Sequence, residues 1–152
     1  MHNIIIPLFT FLVALVGSRI TTSGLKWYQT INVPKWTPNG KIIGLVWTSI
    51  YILAAISALI VWNQYGDQAS IGIGMLFLLN GILNALWSYI FFIRHDFTLS
   101  VFEASAINIT VILLIYSIWP LSLIAALLLV PYFIWVSFAT YLTCQIKSLN
   151  SK

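Results

Sequence analysis

Charge is nearly absent from this sequence. Only 7% of its 152 residues are Asp, Glu, Lys or Arg, against about a quarter in an ordinary soluble domain. Three acids and seven Lys/Arg cannot cover a soluble fold, and 61% of the residues are hydrophobic. This excludes a soluble protein and defines an integral membrane one. The cations are scattered over connecting segments rather than gathered in a stripe, so the net charge of +4 does not describe a nucleic-acid binder. Cysteine is reduced to Cys144, which excludes an internal disulfide and a cysteine-based metal cage. Histidine is confined to His2 and His95, at or beyond the ends of the apolar runs. That argues against a haem held by an axial histidine inside the protein, and no metal site is expected. His95, in "RHDF", reads as a solvated loop residue.

Long apolar runs are what remain. A membrane-spanning helix needs about 20 mainly apolar residues, and five stretches meet that length: about 4–20, 41–63, 70–93, 98–119 and 121–146. The expected fold is therefore all-α, a single five-transmembrane-helix bundle forming one domain over 1–152. The start, "MHNIIIPLFTFLVALVGS", lacks the basic flank of a cleaved export signal and reads as the first span. "WPL" leaves almost no connector between the last two spans, which must be antiparallel neighbours. Pro131 removes a backbone donor within the fifth span and is expected to kink it. With five spans the termini lie on opposite faces, and Lys26, Lys35, Lys41, Arg94, Lys147 and Lys152 all fall on the C-terminal one. The positive-inside rule then places the N-terminus outside and the C-terminus and first loop in the cytosol; if the source is bacterial, the membrane is the cytoplasmic one.

The first connector, 21–40, is unlike the others. "WYQTINVPKWTPNG" is aromatic, and Pro34 and Pro38 hold Val33 and Thr37 extended. Thr37 is placed to cap the second helix, with Pro38 at its first position. So stiff a loop reads as a lid holding Trp27, Tyr28 and Trp36 over the bundle mouth. Below it the spans carry tryptophans that are too deep for the interfacial belt to which Trp62 and Trp119 are assigned. Trp47, Trp87 and Trp135 each lie on the order of 10–15 Å inside their helices. Helical spacing puts Trp47 with Tyr51, Asn80 and Asn84 with Trp87, and Tyr132 with Trp135 and Ala139 on common faces. For Asn80 alone, interhelical glue and a ligand contact stand level. Asn84 beside Trp87 favours a ligand pocket, because apolar walls with a few placed polar groups characterise small-molecule sites. Glu103, shallow in the fourth span, is expected to pair with Arg19 or Arg94. A low ridge of Gly74, Gly81 and Ala85 on the third span, with Ser88 at its edge, is the candidate dimer interface. "GKIIG", with Gly40 and Gly44, is the competing choice.

"WYQTINVPKWTPNG", "VWTSIY", "LNALWSYIFF" and "VPYFIWVSFATY" together resemble the TspO/MBR family, the tryptophan-rich sensory proteins and translocator proteins once called peripheral benzodiazepine receptors. The resemblance covers essentially the whole chain. It implies a five-helix bundle in the lipid bilayer, a homodimer, and binding of protoporphyrin-type tetrapyrroles, with drug-like or sterol-like apolar ligands as further candidates and no covalent cofactor. It also implies ligand contacts from Trp27, Tyr28, Trp47, Tyr51, Asn84, Trp87, Ser88, Trp135 and Ala139. Propionate groups of a porphyrin would point to the rim, where Lys26 and Lys35 stand. A sterol-type pattern can be laid on Val136, Tyr141 and Lys147. No ordinary catalytic set is visible. An enzymatic alternative, light-dependent porphyrin degradation, would employ Trp47 and Trp135, and tetrapyrrole transport is the other alternative.

Overall fold

The computed structural model describes residues 2–66 and 71–151. Its helices are α1 (His2–Tyr28), α2 (Gly40–Tyr65), α3 (Ile71–Phe92), α4 (Phe97–Ile118), α5 (Leu123–Leu127) and α6 (Val130–Asn150). Five helical segments are long and apolar enough to cross a membrane, the fifth being α5 and α6 together, and there is no strand among the described residues. The chain is an all-α, multi-pass membrane protein. The expected start of the third span, Ser70, lies outside the described residues.

Each helix end has a local cause. Asn39 caps α2, its Oδ1 accepting from the Ile42 N–H at 3.0 Å, whereas Thr37 turns back and donates its hydroxyl to the Pro34 carbonyl at 2.7 Å. The cap thus sits two residues beyond Thr37, because Pro38 keeps Thr37 extended and Asn is among the best capping residues. Asp96 caps α4 by accepting from the Leu99 N–H, and His95 before it turns the chain with φ 58°. The fifth span breaks at Leu128–Leu129 and restarts with Pro131 in the first turn of α6, where a missing N–H costs nothing.

α1 runs eight residues past the expected end of the first span. Its last turns, "TTSGLKWY", are polar, and polarity ends a hydropathy run without ending a helix. Thr22 and Ser23 return their hydroxyls to the carbonyls of Ser18 and Ile20. The connector is correspondingly short, and Trp27 and Tyr28 belong to the helix rather than to the loop.

The core lies among α2, α4, α5 and α6, centred on Val61, Val111, Leu114, Ile118 and Leu129, all fully buried. Ser57 donates to the Ala125 carbonyl at 2.8 Å and locks α2 to α5. Gly24 is the sole buried residue of α1 among those described. A Cβ there would stand 2.6 Å from Phe92 Cβ, so only glycine lets α1 lie this close to α3.

Candidate ligand-binding site

A cavity of about 480 Å³ opens between α1, α2, α3, α4 and α6, reaching Tyr28 and Gly40 at the two ends of the first loop. That is within the range of about 300–1,000 Å³ usual for small-molecule sites. Tyr28, Trp47, Tyr51, Asn84, Trp87, Ser88, Trp135 and Ala139 all line it. Trp87 is fixed by its Nε1–H, which donates to the Ser100 carbonyl of α4 at 3.1 Å, and it stacks on Phe91 with ring centroids 5.0 Å apart. Trp47 leans on Tyr51 at 5.6 Å and meets the Tyr132 ring edge-on at 6.2 Å. Trp135 packs on Phe138 at 5.2 Å, and its buried Nε1–H has no hydrogen-bond partner among the described residues.

The floor is polar. Tyr132 donates its hydroxyl to Asn80 Oδ1 at 2.6 Å, and Asn84 Nδ2 donates to the same hydroxyl at 2.5 Å and to the Asn80 carbonyl at 2.9 Å. Asn80 Nδ2 continues the network to Thr110 Oγ1 on α4 at 2.8 Å. An unsatisfied amide in hydrocarbon costs several kcal/mol, so this closed set explains how two asparagines sit at mid-span. Asn80 faces away from the large cavity, into a second one of about 270 Å³ on the far side of the layer. Asn84 serves both the network and the cavity wall.

Several expected residues stand elsewhere. Trp27 is absent from the cavity lining: it stacks on the His95 ring at 3.8 Å and against Phe91 and Phe97, pinning the end of α1 to the α3–α4 turn. His95 is nevertheless an exposed loop residue, as expected, and its ring nitrogen meets the Phe92 carbonyl at 3.0 Å. Trp36 does not roof the mouth either. It stacks on Tyr141 at 5.8 Å and touches Phe138 edge-on, so the loop leans on the outside of α6 and backs one cavity wall. Asn150 ties it there, donating to the Asn32 carbonyl and accepting from the Asn32 N–H at 2.8 and 3.0 Å. Lys26 and Lys35 are exposed and outside the lining. Glu103 Oε1 is buried with no hydrogen-bond partner among the described residues, in place of the expected pairing with Arg19 or Arg94. Val136 is buried while Tyr141 is exposed, so the sterol-type pattern does not form one face.

The small-residue ridge on α3 is filled from within the chain. A Cβ on Gly81 would meet Phe9 of α1 at 2.7 Å, and one on Gly74 would meet the Trp62 ring at 3.2 Å. Gly74 and Gly81, with half-buried Ala85 beside them, are therefore not a free face for a second copy. The homodimer that the resemblance implies needs another surface. Trp62, assigned to the interfacial belt, covers Gly74 and lines the second cavity.

Sequence reasoning missed the contribution of α1. Ala14, Gly17, Ser18, Thr21, Thr22 and Leu25 all line the large cavity. Their spacing of three and four residues is a helical face, and that was the available signal. It was masked because small polar side chains carry no aromatic or charged mark.

A bundle of five membrane spans enclosing an aromatic cavity, with the first loop tied against α6, defines a membrane protein built around an apolar small-molecule site. The TspO/MBR family profile matches residues 5–149, and the chain belongs to that family. It is 37% identical over 148 residues to the tryptophan-rich protein TspO of Bacillus cereus, covering 97% of this chain and 96% of that one. It is 28% identical over 147 residues to a tryptophan-rich sensory protein of Cereibacter sphaeroides, covering 94% and 91%. Over 130 residues it is 29% identical to the human translocator protein, covering 84% and 77%.

Proposed function

We infer that this protein binds a flat, largely apolar tetrapyrrole of the protoporphyrin class in the loop-side cavity, and acts in tetrapyrrole sensing or regulation. The observation that carries this reading is the convergence of Trp47, Trp87 and Trp135, from three helices, on one space of about 480 Å³. A macrocycle gains from aromatic area and needs few polar anchors; Asn84, Ser88 and Thr143 are such anchors on this wall. Propionate groups cannot be buried in hydrocarbon without heavy cost, so they point toward the loop face. The surplus of basic residues makes that face the cytosolic one. The same aromatic walls suit drug-like apolar ligands. The relatives named as sensory and translocator proteins support a ligand-responsive membrane role. Passage of the ligand through the bundle is the poorer reading, because Asn80, Asn84 and Tyr132 bond across the way to the second cavity.

Titrating the purified protein with protoporphyrin IX, in the dark and under illumination, tests the proposal. Saturable binding that weakens about tenfold or more in Trp47→Ala, with the porphyrin recovered intact, is expected for a binding protein. Recovery of an altered porphyrin after illumination favours the catalytic alternative. Affinity unchanged in both Trp47→Ala and Trp135→Ala overturns the site.

A further inference from the structure

The second cavity takes no part in the site above except through a shared wall. It lies between α1, α2 and α3, with Asn80 and Tyr132 closing its inner end. Tyr51 is the one side chain, among those described, that lines both cavities. The outer end is framed by Ile5, Trp62 and Gly74. From Tyr51 to Trp62, α2 rises about 16 Å. This slot, at about 270 Å³, has little more than half the volume of the loop-side cavity, which leaves it small for a macrocycle.

Three polar side chains of the lining are already bonded. The Thr10 hydroxyl is returned to the Ile6 carbonyl at 2.9 Å, and the Tyr132 and Asn80 side chains satisfy each other and Thr110. What remains is Ile, Phe, Leu, Val, Ala and Gly, with the rings of Tyr51 and Trp62. Ile5 and Leu78 line the slot and are also exposed, at 55% and 41%, on the surface that meets lipid. Beyond the outer end, where α1 begins and α2 ends, His2 and Asn63 hydrogen-bond at 3.0 Å. The slot thus runs from a polar, headgroup-level pair to the middle of the span, the path of one lipid chain. Within a bilayer there is no water to expel, so such a slot is filled for its contacts: lining atoms without neighbours forfeit their dispersion energy.

We propose that this slot is a second binding site, which takes one aliphatic chain of a membrane amphiphile from the leaflet opposite the loop. The tail lies along Trp62 and Ala54 and ends against Tyr51, Asn80 and Tyr132, while the polar head stays outside near His2 and Asn63. Because Tyr51 walls both cavities, an occupied slot supports that ring from behind, and lipid composition can bear on the loop-side site.

The test uses the whole protein and two probes with brominated chains. One is dodecanol brominated near its end, titrated in detergent; the other is a chain-brominated phosphatidylcholine, incorporated in nanodiscs. Bromine quenches tryptophan on contact, and the difference between the wild type and Trp62→Phe isolates the Trp62 signal. Saturable Trp62 quenching is expected. It should need at least tenfold more probe in Ala54→Leu, which fills the slot, and also in Ile5→Phe, which narrows its exposed mouth without touching the core. Saturation with dodecanol alone assigns the chain to a free amphiphile, and saturation with the phosphatidylcholine assigns it to a membrane lipid. Quenching that rises in proportion to bromine content with both probes, and is unchanged in both slot variants, is contact with bulk lipid and overturns the site.

Discussion

Two cavities meet at the layer of Asn80, Asn84 and Tyr132, and they differ in nearly every respect. On the loop side the walls carry Trp47, Trp87 and Trp135 with hydroxyls from α1 and α3; on the other side they are aliphatic, with Phe9, Phe77 and Trp62. The same three helices, α1 to α3, contribute to both, so the contrast comes from the residues they place there, from α6 and from Ala104 and Ile107 of α4. α6 lends the loop-side cavity Trp135, Val136, Phe138 and Ala139 and lends the far one only Tyr132. Near Ser57, α2 is locked to α5; past the break at Leu128–Leu129, α6 and α2 touch little. A wide cavity therefore forms only on the loop side of that break.

The largest effect is expected where both cavities depend on the seating of α1. Gly81→Leu forces a side chain into Phe9 and Val13, whose atoms lie 2.7 and 3.0 Å from the Cβ position. Overpacking costs about 1–3 kcal/mol or more, so thermal unfolding in detergent should occur at clearly lower temperature, with loss of ligand at both sites. Gly44→Leu, which meets nothing within 4 Å, should leave the unfolding temperature unchanged. Equal behaviour of the two variants would mean that α1 is not packed on Gly81.

These positions also show how far the sequence could be read. The five spans were legible because runs of apolar residues in a chain so poor in charge admit no other use. The deep indoles were legible because tryptophan far from an interface is conspicuous, and helical spacing put each on a face. The path of the loop was not legible: Trp36 is directed by a tie between Asn32 and Asn150, residues 118 apart in sequence, which no local pattern announces. Trp27 depended on where α1 ends, and "TTSGLKWY" continues a helix as readily as it begins a loop. Gly81 was read as a dimer contact, because a small residue marks a close approach without saying whether its neighbour is another chain or α1. The far cavity left no mark at all, since Ile, Ala and Phe are the ordinary stuff of a span.

The next effect separates the cavities. Trp135→Ala should weaken protoporphyrin binding about tenfold, which corresponds to about 1.4 kcal/mol, and leave brominated dodecanol binding in the slot unaltered. Trp62→Ala should do the reverse, read by retention of the probe after gel filtration rather than by quenching. Porphyrin affinity that falls equally in both variants would dissolve the distinction between a loop-side site and a far one.

Tyr132→Phe acts on the layer itself. Removing the hydroxyl deprives Asn80 Oδ1 of a donor and Asn84 Nδ2 of an acceptor. Interhelical hydrogen bonds in membranes average about 0.6 kcal/mol with a maximum of about 1.7, so stability should fall by about 1 kcal/mol. Both sites should loosen by similar, small factors, because their common wall has lost its fastening. An effect confined to porphyrin would make Tyr132 a part of one site and not the partition between two.

The smallest effect concerns charge, which distinguishes the two cavities least directly. Lys26 and Lys35 stand on the loop face but outside the lining, so they can reach a propionate only at the rim, in water. Exposed ion pairs are worth about 0.2–1 kcal/mol, and screening acts over about 10 Å at 0.1 M salt. The double variant Lys26→Gln, Lys35→Gln should therefore weaken protoporphyrin by no more than about fivefold at low salt. The loss should vanish in molar salt, where the screening length is about 3 Å, and should be absent for a porphyrin dimethyl ester, which carries no charge. Dodecanol in the slot should bind unchanged, because its head lies on the opposite face. A loss shared by acid and ester would show that the lysines act by holding the loop against α6, and the rim would then have no part in choosing the ligand.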